Sequence, residues 1–527
     1  MGALCIALAA IAVVALSAGG SPRPESLPAL VHRAGPESIF EDEVQLHADP
    51  AAALDLLRRL GVDRVRVYVP WAALAPDPSS SRPPPSFNAS DPGAYPPSEW
   101  AIYDTIVRDA AAQGMGLDFT IGAPPPLWAR GPGDPGHPVH PQWRPSASDF
   151  GQFMRALGTR YSGSYRPLGA TSPLPHVGFW SIWNEPNFGP DIAPQAIDHS
   201  KIEISSMLYR NLLDAAWAAL HATGHARDTI LFGETAPAGE SVDGPGEYGN
   251  MVPLRFLRAL YCVNSAYQPL RGLAAAQRGC PTDAASSARF RDEHPALFDA
   301  GGFADHPYSQ GLPPNESTPN EPDYAELAAL PKLEHTLDTL VRVYGASTRF
   351  PIYSTEFGYQ TNPPDTESGT LSPELAAEYL NWAEYLSWRD PRVRSYDQYL
   401  LVDSAAGNFA TGLESSNGTP KPGFYAYRMP IYLPVTSTTR GYPLEVWGCA
   451  RPARNVRLAT HRPQHVRIQF RPASGGLYRT VRTITLTGHY CYFDVFQKFP
   501  GSGSVRLSWS YPHGPTIFSR TVVVDLH

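Results

Sequence analysis

Two short stretches end apolar runs on a carboxylate. In "FWSIWNEPNFG" (Phe179–Gly189) an aromatic-rich run stops at Asn184 and Glu185 and then breaks on Pro186; in "FPIYSTEFGY" (Phe350–Tyr359) a second run reaches Glu356. Buried strands seldom end on a charge without a use for it. Two carboxyl groups brought to one cleft from separate strands are the equipment for cleaving a glycosidic bond: one protonates the leaving oxygen, the other attacks the anomeric carbon or activates water.

The elements that would position them alternate along the chain. "ESIFED", "VDRVRVYVPW", "GLDFTIGAPP", "VGFWSIWNEP", "TILFGETAP", "GGFADHPYS", "FPIYSTEFGY" and "VRSYDQYLLV" read as eight successive strands between about Ser38 and Pro430. Helix-like segments separate them. "DPAAALDLLRRLG" offers Asp49 as an N-cap, Pro50 at the first helical position and Gly61 as the stop, and "SPELAAEYLNWAEYLSW" repeats the device with Ser372 and Pro373. Eight βα units closing on themselves make an α/β fold of the (β/α)8 TIM-barrel type. Its chemistry belongs at the C-terminal strand ends, where Glu185 and Glu356 stand. Beyond Tyr432 the runs "NVRLAT", "HVRIQFR", "RTVRTITLTG", "YCYFDVFQ", "SVRLSWSYP" and "SRTVVVDL" carry no helical period and predict a C-terminal antiparallel β-sandwich. The expected division is 1–20 leader, 21–432 barrel and 433–527 accessory sandwich.

Composition agrees with a folded, exported protein. The chain has 527 residues, 43% hydrophobic, 17% charged and 11% aromatic, with 56 Pro and 44 Gly. Its formal net charge of −8 comes without a basic block, which argues against nucleic acid or an anionic membrane as partner and suits a neutral substrate. "MGALCIALAAIAVVALSAGG" has the shape of a signal peptide cleaved after Ala18 or Gly20, although it lacks a basic start, so an uncleaved anchor stays open. Removing it takes Cys5 away and leaves Cys262, Cys280, Cys449 and Cys491, which suit two local disulfides in a secreted or cell-surface protein. No cysteine pair has CxxC spacing, and no metal site or cofactor is expected. Oligomeric state has no reading.

"WNEPN" on a fourth strand together with "TEFG" on a seventh resembles the clan A glycoside hydrolases, retaining (β/α)8 enzymes that include the cellulase-like family 5 and the β-xylosidase-like family 39. The resemblance covers roughly Ser38 to Pro430. It implies a carbohydrate substrate, Glu185 as general acid/base, Glu356 as nucleophile, and Asn184 hydrogen-bonded to the sugar 2-hydroxyl. It further implies that Arg66, in "VRVYVPW", holds the nucleophile ionised, and that "DHPYS" sets His306 at the sugar or the acid/base and Tyr308 against Glu356. Arg66 and the Tyr308 hydroxyl would lower the Glu356 pKa.

The chain departs from family 5 in lacking a histidine after the third strand, where "GAPPPLWARG" gives Trp128, and in lacking an eighth-strand tryptophan, where Gln398 or Tyr399 stands. Trp71, Trp128 and Tyr359 follow strands where sugar-stacking aromatics sit, with loop packing as the alternative. Glu234, closing the fifth strand, is read as a substrate contact or a structural partner. An inactive carbohydrate-binding barrel is the rival reading, and the intact pair of glutamates argues against it.

Overall fold

The computed structural model describes residues 35–136 and 141–527. The leader, with Cys5, lies outside the described residues. Eight parallel strands close a barrel: β1 (Glu37–Glu41), β2 (Arg64–Pro70), β3 (Gly116–Gly122), β4 (Phe179–Ile182), β5 (Thr229–Thr235), β6 (Gly302–Asp305), β7 (Ile352–Ser354) and β8 (Val393–Tyr399). Each neighbours the next in sequence, and β8 returns to β1 with Glu41 opposite Tyr399. The main helix after each strand is, in turn, α1 (Pro50–Leu60), α2 (Pro97–Gln113), α3 (Ala147–Arg160), α4 (Ser205–Ala222), α5 (Pro253–Leu260), α6 (Leu330–Val343), α7 (Pro373–Arg389) and α8 (Pro422–Arg428).

The helix signals work as read. The Asp49 side chain accepts from the Ala52 amide, and Gly61 stops α1 with φ +92. That glycine also meets the C-terminal region, since a Cβ on it would lie 2.3 Å from the Cβ of Arg451. The main core lies between strands and helices, while alternate residues point into the lumen. At the lumen floor Phe179, Leu231, Ala304 and Tyr353 pack together with Arg64 over the Phe179 ring. One step higher, the register sets Arg66 beside Glu41 and Asp118. A polar layer thus sits on an apolar floor.

The C-terminal region carries the expected antiparallel sheets, together with one helix and one parallel pairing. A three-stranded sheet joins β9 (Ile431–Tyr432), β11 (Leu444–Cys449) and β14 (Tyr492–Gln497). A second sheet contains β10 (Ser437–Thr438), β12 (Gln464–Pro472), β13 (Arg479–Leu486), β15 (Gly503–Ser510), β16 (Thr516–Phe518) and β17 (Val522–Leu526). Both contribute to one core, which includes Val446, Phe493, Ile468 and Leu507. All pairings are antiparallel except β10 with β17. "NVRLAT" is not a strand: it forms the end of helix α9 (Arg451–Thr460), which carries Pro452 in its first turn and turns Ala453 and Val456 toward that core.

The disulfides are Cys262–Cys280, between β5 and β6, and Cys449–Cys491, within the C-terminal region. Between that region and α7 lies an aromatic seam of Tyr385, Trp388, Trp447 and Tyr492. Trp447 and Trp509 are both buried, as their strand patterns predict.

Candidate active site

Local backbone explains why "WNEPN" stops a strand. After β4 the chain turns through positive φ twice at non-glycine residues, Trp183 at +70 and Glu185 at +36. Such values are uncommon for side chains with a Cβ and collect at functional sites. The turn is over-determined. The Phe188 amide donates to the Glu185 carbonyl (2.7 Å), the Gln195 amide group holds the Pro186 carbonyl (3.0 Å), and Asn187 bonds the backbone of Ala236 and Met251. A second device sits on β5, whose register with β6 shifts between Gly233 and Thr235. Glu234 is the extra residue, at φ +49, and its carboxylate meets the lumen groups Arg66 and His306.

Arg66 is the hub of the polar layer. Its Nη1 donates to Glu41 and, at 2.8 Å, to Glu356; its Nη2 donates to Glu234 and to Asn184 Oδ1, each at 2.7 Å. His306 is the second hub. Its Nδ1 lies 2.9 Å from Glu185 Oε1 and its Nε2 lies 3.0 Å from Glu234 Oε2. The Tyr308 hydroxyl donates to Glu356 Oε2 at 3.1 Å. One carboxylate oxygen from Glu185 and one from Glu356 lie within 4.8 Å of each other and of a His306 nitrogen.

Charge is out of balance here. Arg66 and His306 face Glu41, Glu185, Glu234 and Glu356. Both nitrogens of His306 meet carboxylate oxygens, Glu185 on one side and Glu234 on the other, an arrangement that favours the charged ring. Burial opposes that charge, but Glu356, Glu185 and Glu234 outweigh it and hold the His306 pKa well above its usual value. Burial would raise Glu234 too, yet Arg66 and His306 hold it at about 2.

Glu356 and Glu41 go the opposite way. Burial lifts Glu356 to about 7, against the pull of His306 and Arg66 and with help from Glu41 and Glu185. This corrects the expectation of a depressed value: enclosure and like charge win over the two cations. Glu41 is raised to about 8, chiefly by burial. Burial and then Glu356 raise Tyr308, which therefore keeps its proton and donates it. The cluster holds shared protons near neutrality, as an acid and a nucleophile working in one site require.

A cavity of about 550 Å³ opens over Glu185 and Glu356, walled by Phe188, Asn250, Tyr308, Gln310, Tyr399 and Phe409 among others. Beyond the two glutamates, Glu240 is its one charged lining residue among the described residues. A smaller neighbour of about 310 Å³ shares Tyr308, Gln310 and Phe409 and reaches Tyr359.

Some expected contacts fall elsewhere. Trp71 is fully enclosed, stacked on Phe153 at 5.8 Å, because it opens a short helix that turns it into the core. It cannot stack on a sugar. Trp128 packs edge-on to Trp71 and Phe87 and donates to the Pro76 carbonyl, which is the loop-packing alternative. Tyr359 is 3% exposed and donates to the Leu312 carbonyl, at the side cavity. Glu234 is fully buried, so it is a structural partner and makes no substrate contact.

Glu41 went unsingled in the sequence although it too closes a strand, the same signal that marked Glu185. Asp191 is another addition. Burial and the charges of Glu185 and Glu356 raise its pKa far above the usual range, and its carboxyl meets Asn184. It sits in a loop with no motif around it.

No family model and no curated protein matches this sequence. Solved structures of similar fold include a family 39 glycoside hydrolase from Bacteroides cellulosilyticus WH2, 14% identical over 88% of this chain and 81% of that one, with a TM-score of 0.46. A family 1 β-glucosidase from Thermotoga maritima is 15% identical over 72% of this chain and 86% of that one (TM-score 0.43). An endo-β-1,4-mannanase from Thermotoga petrophila is 10% identical over 94% and 98% (TM-score 0.39). At such distances the likeness reaches no further than the barrel, which the strand order establishes by itself.

Proposed function

We propose that the chain is a retaining O-glycosidase of clan A type, acting on a neutral, β-linked glycan. One observation carries the reading: Glu185 and Glu356 bring carboxylate oxygens within 4.8 Å of each other. Retaining enzymes place their carboxyl groups about 5–5.5 Å apart, whereas inverting ones leave about 6.5–9.5 Å for a water. Glu356 attacks the anomeric carbon as Glu185 protonates the departing oxygen; Glu185 then serves as base for the water that opens the glycosyl ester. Arg66 and Tyr308 orient the nucleophile, and His306 orients the acid/base.

Mouth walls without a cation, and with Glu240 as the one charge described beyond the two glutamates, support a neutral sugar, and the two disulfides are compatible with an exported protein. Among the described residues no helix is long and apolar enough to cross a membrane. We read the C-terminal sheets as a sandwich-like module that buttresses the barrel through the aromatic seam.

The test is hydrolysis of aryl β-glycosides by the parent and by Glu356→Ala with azide. Turnover in the parent, loss of at least roughly a thousandfold in the variant, and rescue to a glycosyl azide of inverted configuration are expected. Inversion by the parent, or rescue of the configuration opposite to that expected, would remove Glu356 as nucleophile.

A further inference from the structure

The net charge of −8 hides an uneven division. Residues 433–527 hold eleven Arg and one Lys against three acidic residues, Glu445, Asp494 and Asp525, a net of +9 that leaves −17 for the rest of the chain. Three of these cations engage the barrel: Arg451 pairs with Glu384, Arg454 with Asp63 and Arg520 with Glu378. The other nine have no ion pair among the described residues.

Part of that unpaired charge gathers on one sheet face. Strand β12 alternates, sending Val466, Ile468 and Phe470 into the C-terminal core and turning His465, Arg467, Gln469 and Arg471 outward. On its neighbours the register sets Thr483 beside Arg467, Arg506 beside Gln469 and Ser504 beside Arg471. No acidic residue occurs in β12, β13, β15 or β16. Glu445 and Asp494 belong to the other sheet, and Asp525 lies on β17, two strands from β12, where it accepts from Ser502. The cations are also held in place. The Arg506 guanidinium lies 3.8 Å from the ring centroids of both Tyr478 and Phe518, and its Nε donates to Gln469 at 3.0 Å; Arg471 lies 5.0 Å from the Tyr478 ring. Side chains already fixed on rings lose less freedom when a partner arrives.

Arg467 and Arg471 stand exposed, and four residues of strand set them about 13 Å apart. A flat row of cations interleaved with hydroxyl and amide groups fits an extended polymer that carries carboxylates among hydroxyls, because the guanidinium fork matches the paired oxygens of a carboxylate. Single-stranded nucleic acid would need free aromatic faces for its bases, and here arginine occupies the rings. We propose that this face docks an acidic polysaccharide of the uronic-acid class and tethers the protein to it. The choice of a glycan among polyanions rests on the glycosidase reading above. Docking leaves the mouth clear: Arg454 reaches Asp63 just before β2, and the Tyr492 hydroxyl donates to the Pro36 carbonyl just before β1, so the region sits by the N-terminal strand ends.

The experiment measures binding of the full-length protein, at neutral pH and low salt, to polygalacturonate, neutral dextran, duplex DNA and phosphatidylglycerol vesicles. Polygalacturonate should bind and dextran should not, with affinity falling as salt rises. Arg467→Glu with Arg471→Glu should weaken binding at least about tenfold at an unchanged melting temperature, and Arg467→Gln with Arg471→Gln should weaken it less. Arg289→Glu with Arg349→Glu makes the same charge change at exposed barrel positions and should leave binding within about twofold of the parent. No binding to polygalacturonate, an equal loss in the barrel pair, or tighter binding to DNA or to vesicles would overturn the proposal. Because the readout is binding alone, loss of the glycosidase reading on aryl glycosides would be seen separately.

Discussion

Arg66, at 1% exposure, and Arg451, at 2%, both lie almost wholly out of water, and they keep opposite company. Arg451, on α9, pairs with one carboxylate, Glu384 of α7, and also donates to the Tyr427 carbonyl. Glu384 in turn accepts from the Tyr492 hydroxyl at 2.9 Å. Arg66 serves Glu41, Glu234 and Glu356 at once. The seam is a balanced pair that joins two regions. The mouth is a surplus of negative charge that only shared protons relieve. Surplus of this kind is where reactivity lives, because each proton or substrate that arrives changes the charge state of every neighbour.

Deleting the arginines should separate the two most sharply. Arg66→Met and Arg451→Met each strand a buried carboxylate and should cost about 3–5 kcal/mol in urea unfolding. At the seam, adding Glu384→Leu should recover most of the loss, since a balanced pair can be exchanged for packed apolar groups. At the mouth, Arg66→Met with Glu41→Gln should recover little, because Glu234 and Glu356 still lose their arginine. Equal recovery at both places would break the contrast.

Acidity sharpens it next. Glu356, raised from 4.5 to about 7, and Glu41, raised to about 8, hold protons in the folded chain that the unfolded chain has already released. Stability contributed by these groups therefore falls as pH rises from about 4.5 through 7 to 8. Glu234, lowered to about 2, works the other way: its contribution is complete above its ordinary 4.5 and drains away as pH falls toward 2. Melting temperatures between pH 5 and 8 should decline less steeply in Glu356→Gln than in the parent. Parallel declines would mean that Glu356 is not raised.

The smallest effect belongs to Tyr308. Its hydroxyl bonds the ionised form of Glu356, so Tyr308→Phe should move the ascending limb of the kcat/KM profile to higher pH, by less than about one unit. A shift to lower pH would place that hydroxyl elsewhere in the working enzyme.

Much of this was legible in residue order. Each barrel strand is an apolar run bounded by turn residues, and a carboxylate that ends such a run is visible without neighbours. Glu41 obeys the same rule and could have been read from "ESIFED". The geometry around Glu234 could not, because a register shift against β6 is a property of two strands. Trp71 misled because its place after a strand says nothing of the short helix that swings it inward. "NVRLAT" misled because six residues are too few to separate a two-residue period from a helix face, and Pro452, the better clue, lay just outside the run.

Gly61 has a wider consequence. It ends α1 in a left-handed turn and leaves no room between itself and Arg451, so the same residue that halts a barrel helix is the surface on which the C-terminal helix rests. A truncated barrel would expose that contact, strand Glu384 and bare the aromatic seam together. The two cores should therefore melt as one calorimetric transition, and a protease that cuts between them should find no stable fragment to release.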